Sequence, residues 1–366
     1  MSRVFNKLPA SSREVITDIT IKMGDGMASF VDVDMGQGTV SVAAYNEYCH
    51  MVAGLVGEGL SRAFVGRGME SEAICGQGQL VWPFCSHEKS NLGIANSMGL
   101  FLQKTNILRD YLEDYADGRA FWPMDVWKRF ARTSDLGEFA RPTAHGAGVR
   151  KGAFDEKADP TGAAIVAKGT RTSGLDCLNY LVADALELVP DCLTYLDLLR
   201  TPEVFRFSAI PQVMASQMPS AARPLPAFWS PSACHPLAIH WPSAGHPMTD
   251  VSAPAILQVM AIATLEACFN NPKVFTGVVK IRKGLTARLL LDSASLDGVH
   301  FWFYKLAKQI AARCPEDDPS RAKILAATDV VVGLTQARAV SSGLKAMAVK
   351  GAVLLAGVAM AVTWLR

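Results

Sequence analysis

None of the eight cysteines forms a Cys-x-x-Cys pair, and the closest two, Cys75 and Cys85, match no metal-ligand spacing. This excludes a zinc ribbon and a disulfide framework and points to free thiols in a reducing compartment. No Gly-x-Gly-x-x-Gly sits between a strand and a helix, and no loop ends in Gly-Lys-Ser/Thr, so the two common nucleotide-phosphate cradles are excluded. A Ser-His-Asp arrangement cannot be argued from the spacings. Strand-like alternation is scarce. Neither sign of charge dominates: 36 basic and 34 acidic residues leave +2 on 366 residues, which gives no electrostatic ground for a nucleic-acid partner. Met1 to Pro9 lacks an apolar core, so no signal peptide is visible.

What is present is apolar and helical. Hydrophobic residues make up 50% of the chain, enough for a sizeable core. Apolar residues recur at helical spacing in Glu14–Val31, Tyr45–Phe64, Asn96–Tyr115, Asp176–Leu199, Ile256–Phe269 and Val299–Ala312. These segments predict an all-α domain of long packed helices.

The helix around Asn96–Asp114 carries the chemistry. It is apolar around most of its girth, yet Gln103, Asn106, Asp110 and Asp114 follow at spacings of three and four and share one face. Burying carboxylates and amides is unfavourable unless something satisfies them. Oxygen-only donors favour Mg²⁺ over zinc or copper. In the Tyr45–Phe64 helix, Tyr48, Val52, Val56 and Leu60 form one stripe. Gly54, Gly57 and Gly59 each weaken that helix by about 1 kcal/mol relative to Ala, which suggests close approach of another helix or a bulky ligand. Cys49 and His50 point to different faces, against a metal pair. The basic run Val279-Lys-Ile-Arg-Lys-Gly284 reads either as a solvated loop or as a phosphate-facing flap. Pro315-Glu-Asp-Asp-Pro319, fenced by prolines, reads as a turn opening the next helix.

Two stretches break the helical pattern. Residues 215–260 hold eight of nineteen prolines, a density that excludes helix interiors. Pro211-Gln-Val-Met214 before this stretch is echoed by Leu257-Gln-Val-Met260 at its end, so it reads as an insert of retained-intron type. Residues 65–90 read as a long Gly-rich connector. At the C-terminus, Gly351–Leu365 is uncharged, and residues 346–365 reach membrane-spanning length if Lys350 snorkels. The expectation is a membrane anchor helix, with Lys345 and Lys350 keeping the preceding domain, residues 1–335, on the cytosolic side.

Taken together, Tyr48-Cys-His-Met-Val-Ala-Gly-Leu-Val-Gly57, Asn96–Asp114, Gly118-Arg-Ala-Phe-Trp-Pro123, Phe207-Ser-Ala-Ile-Pro-Gln-Val-Met214 and Val279–Gly284 resemble the squalene synthases of the squalene/phytoene synthase family. The resemblance covers about Ser12 to Ala326 apart from the two irregular stretches. Phytoene synthases share the Thr-Asn-Ile-Leu-Arg-Asp core but are less similar at the Tyr-Cys-His segment. The resemblance implies an isoprenoid-synthase helical bundle that condenses two farnesyl diphosphates to presqualene diphosphate and reduces it with NADPH to squalene. It implies that Asp110 and Asp114 hold Mg²⁺ on a diphosphate, supported by Gln103, Asn106 and Arg109. Tyr48 would assist proton removal. Val52, Val56, Leu60, Met98, Gly99 and Leu102 would line a prenyl tunnel, and Phe207 and Pro211 would shape the carbocation pocket. Lys280, Arg282 and Lys283 would form a flap near diphosphate or NADPH. Ser208 stands where the family often has Cys. A C-terminal anchor fits an endoplasmic reticulum membrane.

The family carries a further Asp-x-x-Glu-Asp motif on a helix upstream of the segment resembling Val15–Thr20. Here Asp110–Asp114 has that pattern, whereas Asp25, Asp32 and Asp34 do not. The sequence therefore predicts a bundle lacking its first helices and one wall of the metal site. Removing one preorganised electrostatic group costs ~2.7–4 kcal/mol, so loss of a wall predicts turnover down by more than about 10⁴-fold. The alternatives are a non-catalytic, membrane-anchored prenyl-diphosphate-binding paralogue and a phytoene-synthase-like enzyme.

Overall fold

The computed structural model describes residues 5–31, 33–76, 93–140, 173–207 and 255–341. Among them there is no strand; the architecture is a helical bundle. Thirteen α-helices are used below: α1 Ala10–Ala28, α2 Val42–Cys49, α3 Leu55–Gly66, α4 Ile94–Arg109, α5 Tyr111–Ala116, α6 Met124–Trp127, α7 Ser173–Leu186, α8 Val189–Leu198, α9 Pro202–Phe207, α10 Ala255–Cys268, α11 Lys283–Asp292, α12 Leu296–Arg313 and α13 Arg321–Ser341. A π-helical turn, His50–Gly54, joins α2 to α3.

Helix α4 is the hub, packing against α3, the π turn, α7, α8 and α10. Every residue of its first two turns, Ile94–Phe101, is buried. A helix apolar on all sides belongs inside a bundle. Two of the polar groups enclosed with it are paired across the bundle: Ser97 donates to Asp191 (2.7 Å), and Lys104 Nζ meets Asp184 (2.6 Å).

The glycines of α3 and α4 explain how closely these elements approach. A Cβ on Gly57 would lie 2.2 Å from the Ala95 carbonyl oxygen, and one on Gly99 would lie 2.1 Å from that of Ala53. The sequence left open a helix or a ligand as the reason for Gly54, Gly57 and Gly59; at Gly57 it is helix backbone, and Gly99, not singled out for close approach, meets backbone in the same way. Gly99→Ala is expected to destabilise the fold by about 2 kcal/mol, within the ~1–3 kcal/mol typical of overpacking. Urea unfolding checks this against Gly24→Ala, where a Cβ meets nothing within 4 Å and the change is expected to be neutral or stabilising.

Several expected helices are divided. Asn96–Tyr115 breaks at Asp110, whose φ of −94° and ψ of 14° leave the helical well. Asp176–Leu199 breaks ahead of Pro190, which cannot donate a helical bond and so sits in the first turn of α8. Tyr45–Phe64 is interrupted by the π turn. Conversely, α11 was not read from the sequence, whereas α13 is the helix expected after the Pro315–Pro319 turn. The Pro-fenced acids do form a turn: Asp318 accepts from Asn179 Nδ2 (2.8 Å) and from the Ser320 amide (2.8 Å).

The irregular stretches are placed only in part. Val65 and Gly66 finish α3, and Ile74, fully buried in the short 3₁₀ helix Glu72–Cys75, ties residues 65–76 to the bundle. Helix α10 takes in residues 255–260, which the sequence reading assigned to the insert. The second Gln-Val-Met copy is packed in the core, with Gln258 and Val259 buried. The first copy, the rest of 215–260 and the anchor segment 346–365 lie outside the described residues.

Helix α13 is long and apolar enough, by length and composition, to cross a membrane. It nevertheless packs one face on the bundle, burying Ile324, Ala327, Thr328, Val331, Thr335 and Ala339 at spacings of three and four while Val330, Leu334 and Val340 stay exposed. That pattern belongs to a peripheral bundle helix.

Candidate functional site

The acidic stripe lies on the open side of α4. Lys104, Thr105, Ile107 and Leu108 are buried, while Leu102, Gln103, Asn106, Arg109, Asp110, Glu113 and Asp114 are half-buried along one face. Although the helix is interrupted at Asp110, the Asp114 amide still donates to the Asp110 carbonyl (2.9 Å), so the two carboxylates remain one turn apart.

Their electrostatic surroundings differ. Arg109 grips Asp110 with a two-pronged contact, Nε to Oδ1 at 2.7 Å and Nη2 to Oδ2 at 2.6 Å. Among the described residues, the basic group facing Asp114 is the Arg119 guanidinium, at 3.9 Å. Burial, reinforced by the negative charge of Asp110 and opposed by Arg119, pushes the Asp114 carboxyl from 3.8 up to about 7. A pocket that resists a second negative charge, lined by oxygen donors, suits a hard divalent cation. Asp114 fits that role directly. Asp110 fits through the lone pairs Arg109 leaves free, since each carboxylate oxygen has two. Cys268 of α10 lies against this pair; burial raises its thiol to about 12, with Arg109 lowering it and Asp110 raising it, so it is inert.

Tyr48 stands at the end of α2, buried between rings. It stacks on Phe121 (centroids 4.7 Å, planes 24° apart) and meets Phe30 edge-on at 5.4 Å. Burial pushes its phenol well above the ordinary 10; the charges of Cys49 and Asp114 raise it further and Arg119 lowers it. Tyr48 therefore sits within electrostatic reach of Asp114, and it is a neutral phenol at pH 7. Phe121 and Asp114 line the same small void, with Tyr111 and Trp122.

The loop 33–41 holds this arrangement in place. The Ala120 amide donates to Met35 O (2.7 Å), Thr39 Oγ1 to Phe121 O (3.2 Å), and Gly38, at φ +100°, brings its Cα against the Trp122 carbonyl. On the other side of Tyr48, His50 Nδ1 bonds Asn96 Oδ1 at 2.8 Å, and a Cβ on Gly54 would strike that oxygen at 1.9 Å. Gly54 thus makes room for a bond that ties the π turn to α4. π-Turns of this kind gather at functional sites.

The remaining expected residues are spread out. Met98 and Gly99 are buried in α4; Leu102 packs on the core beside Gln103. Val52 and Leu60 are half-buried, but Val56 is 41% exposed. Phe207 closes α9 and Pro211 lies outside the described residues. Lys280, Arg282 and Lys283 are exposed, and the first two line a separate cleft between α10, α11 and α12. The sequence reading missed Phe30, Phe121 and Arg119 as neighbours of Tyr48. Phe121 and Arg119 lay in the quoted Gly118–Pro123 segment; nothing local marks Phe30.

Comparison with known proteins follows this geometry. The family model for squalene/phytoene synthase matches residues 1–223. The squalene synthase of Mus musculus is 37% identical over 323 residues, covering 88% of this chain and 56% of the relative. That of Candida albicans is 35% identical, covering 88% and 53%. The chain thus spans about half the length of the curated relatives it matches. The solved complex of TcSQS with the ligand BPH1237 aligns with a TM-score of 0.61 at 28% identity, covering 92% of this chain and 72% of that one. A helical bundle with an Asp-x-x-Glu-Asp wall directly following its central helix, matched by the family model over more than half its length, belongs to the squalene/phytoene synthase family.

Proposed function

We propose that this chain contributes to a squalene synthase reaction: condensation of two farnesyl diphosphates to presqualene diphosphate, followed by reduction to squalene with NADPH. The observation that supports this most is the convergence of Asp114, Arg119, Phe121 and Tyr48. A cation-and-anion locus for a diphosphate lies beside a nest of aromatic faces suited to positive charge. Asp110 and Asp114 would hold Mg²⁺, which when bound supplies charge neutralisation for departing diphosphate. Arg109 orients Asp110; Gln103 and Asn106 offer amides along the same face. Tyr48, as a neutral phenol, can take up a substrate proton only by passing on its own, so its part is a relay. Phe30 and Phe121 hold its ring and exclude water. Lys280, Arg282 and Lys283 are the residues we assign to NADPH, which when bound supplies the hydride.

One Asp-x-x-Glu-Asp segment is present in these 366 residues. We therefore propose that they alone turn over slowly. We assign the apolar segment 346–365 to anchorage in the endoplasmic reticulum membrane, with the bundle on the cytosolic side.

The test is incubation with labelled farnesyl diphosphate, Mg²⁺ and NADPH, comparing the parent with Tyr48→Phe. The substitution keeps the stack on Phe121, so the melting temperature is expected to hold. Any squalene or presqualene diphosphate formed is expected to fall by about 10²–10⁴-fold, the usual worth of a positioned proton-transfer group. Rapid squalene formation by the parent overturns the slow-turnover proposal. Undiminished product from Tyr48→Phe removes Tyr48 from the chemistry.

A further inference from the structure

The turn that opens the 3₁₀ helix Leu136–Ala140 meets two parts of the site at once. Asp135 Oδ1 accepts from the Tyr115 hydroxyl at 2.9 Å, from the Gly137 amide at 3.0 Å and from Gln37 Nε2 at 3.4 Å. Tyr115 directly follows Asp114 on α5, whereas Gln37 lies in the loop 33–41, 98 positions before Asp135. The Gln37 amide is held at its oxygen as well, which accepts from the Leu136 amide at 2.8 Å. One carboxylate oxygen thus joins the helix that carries Asp114 to the loop that braces Phe121, the ring stacked on Tyr48.

Helix α5 needs such a tie. It has six residues, too few to hold a helix by itself, and the break at Asp110 separates it from the rigid α4. Its orientation must therefore come from side-chain contacts, and both of its phenols end in the same turn. The Tyr111 hydroxyl donates to the Leu136 carbonyl at 2.7 Å, and the Tyr115 ring runs parallel to that of Tyr111 (centroids 6.4 Å, planes 10° apart). Gly137 admits the second phenol: a Cβ there would lie 2.2 Å from the Tyr115 hydroxyl oxygen. Asp135 suits the junction because an ionised carboxylate only accepts and offers two lone pairs on each oxygen, so it gathers donors from separate elements. It also bonds the amide two residues on, the local turn that Asp favours. Leu136, wholly buried, lines the small void with Tyr111, Phe121 and Asp114, so the turn reaches the site itself.

We propose that Asp135 is a positioning residue for the acidic wall. Through Tyr115 it fixes α5, and through Gln37 it sets that helix against the loop 33–41, so that Asp114 keeps one place relative to Tyr48 and Phe121. The proposal rests on the reading of Asp114 as a Mg²⁺ ligand. Asp135 acts on a bound diphosphate only by way of that wall.

Calorimetry with the full chain tests this, comparing inorganic pyrophosphate binding in Mg²⁺ with the same titration in EDTA. Asp135→Ala and Tyr115→Phe are each expected to weaken the Mg²⁺-dependent binding by about tenfold, and the double variant by no more than the worse of the two. Asp135→Asn, which keeps the accepting oxygen, is expected to return to within about threefold of the parent. Glu138→Ala controls for a merely loosened turn. Glu138 accepts from the Arg132 and Thr133 amides (2.7 and 2.6 Å) in the same turn, and its loss is expected to leave binding unchanged. Circular dichroism checks folding; Tyr115→Phe keeps its ring beside Tyr111, so it decides the matter if Asp135→Ala does not fold. Unaltered binding in Tyr115→Phe, additive losses in the double variant, no recovery in Asp135→Asn, or an equal loss in Glu138→Ala each overturns the proposal. A parent that binds no pyrophosphate even in Mg²⁺ overturns the wall, and with it what Asp135 positions. A parent that binds, with indifferent variants, overturns the positioning role alone.

Discussion

Asp114→Asn is expected to make the protein more stable and, in the same step, unable to hold a divalent cation at the acidic wall. The Asp114 carboxyl is pushed from 3.8 up to about 7 by burial and by the charge of Asp110, against the weaker help of Arg119. Because the folded value is raised, the fold gains from the protonated form. That contribution is complete below about pH 4, declines as pH climbs, and is gone once pH passes about 7. At pH 8 the native state therefore carries an ionised, enclosed carboxylate that the unfolded chain does not. At ~1.36 kcal/mol per tenfold change in proton activity, and discounted because a fifth of the side chain meets water, replacement by the isosteric amide should raise stability by roughly 2–4 kcal/mol. Urea unfolding in EDTA at pH 5 and pH 8 measures it: parent and variant should diverge at pH 8 and converge toward pH 5. Meanwhile, Mg²⁺-dependent retention of a diphosphate ligand by the variant should drop by about 10²-fold or more. A variant destabilised at pH 8 sinks the burial argument, and unaltered Mg²⁺-dependent binding sinks the assignment of Asp114 as a ligand.

The second large effect concerns the underside of the same helix. Lys104 is 2% exposed and lies 2.6 Å from Asp184 on α7, with the Tyr45 ring 5.3 Å from its ammonium. Removing the carboxylate alone, in Asp184→Ala, deprives an enclosed ammonium of its ion pair and is expected to cost about 3–5 kcal/mol. The paired replacement Lys104→Met/Asp184→Leu keeps the volume and removes both charges; it is expected to lie within about 1 kcal/mol of the parent. Denaturation midpoints of the two variants, read with their slopes, decide the matter. If the paired variant is as unstable as Asp184→Ala, the loss comes from packing and not from an unpaired charge. The outcome bears on function because Lys104 sits between Gln103 and Asn106: the ion pair fixes the rotation of α4 and so the direction in which the amide and carboxylate stripe faces.

That stripe was legible in the sequence because it depends on a single helix. Spacings of three and four put Gln103, Asn106, Asp110 and Asp114 on one face whatever packs around it, and the apolar remainder forces the other faces inward. The close approach at Gly57 was legible for a similar reason, since a glycine within a helix is unfavourable without a neighbour; its counterpart Gly99 was not marked. Other readings failed where a local pattern does not specify its own geometry. Tyr48, Val52, Val56 and Leu60 form an unbroken stripe on paper, but the helix is interrupted by a π turn at His50–Gly54, and Val56 is exposed where Tyr48 is buried. The sequence of a π turn looks like that of an α-helix; here the His50–Asn96 bond and the backbone contact with Gly99 hold it open. Phe30 and Phe121 likewise became neighbours of Tyr48 through the loop 33–41, which no periodicity describes.

The amino-acid sequence by itself determined the all-helical class, the acidic face of α4 and the family to which that face belongs, because these follow from spacing within continuous segments. Only the tertiary structure decided that burial raises the Asp114 carboxyl, and that Tyr48 is a neutral, stacked phenol. It alone decided that Gln37 and Tyr115 meet at Asp135. Burial, ion pairing and charge density are properties of what surrounds a residue, and here those surroundings come from helices far apart along the chain.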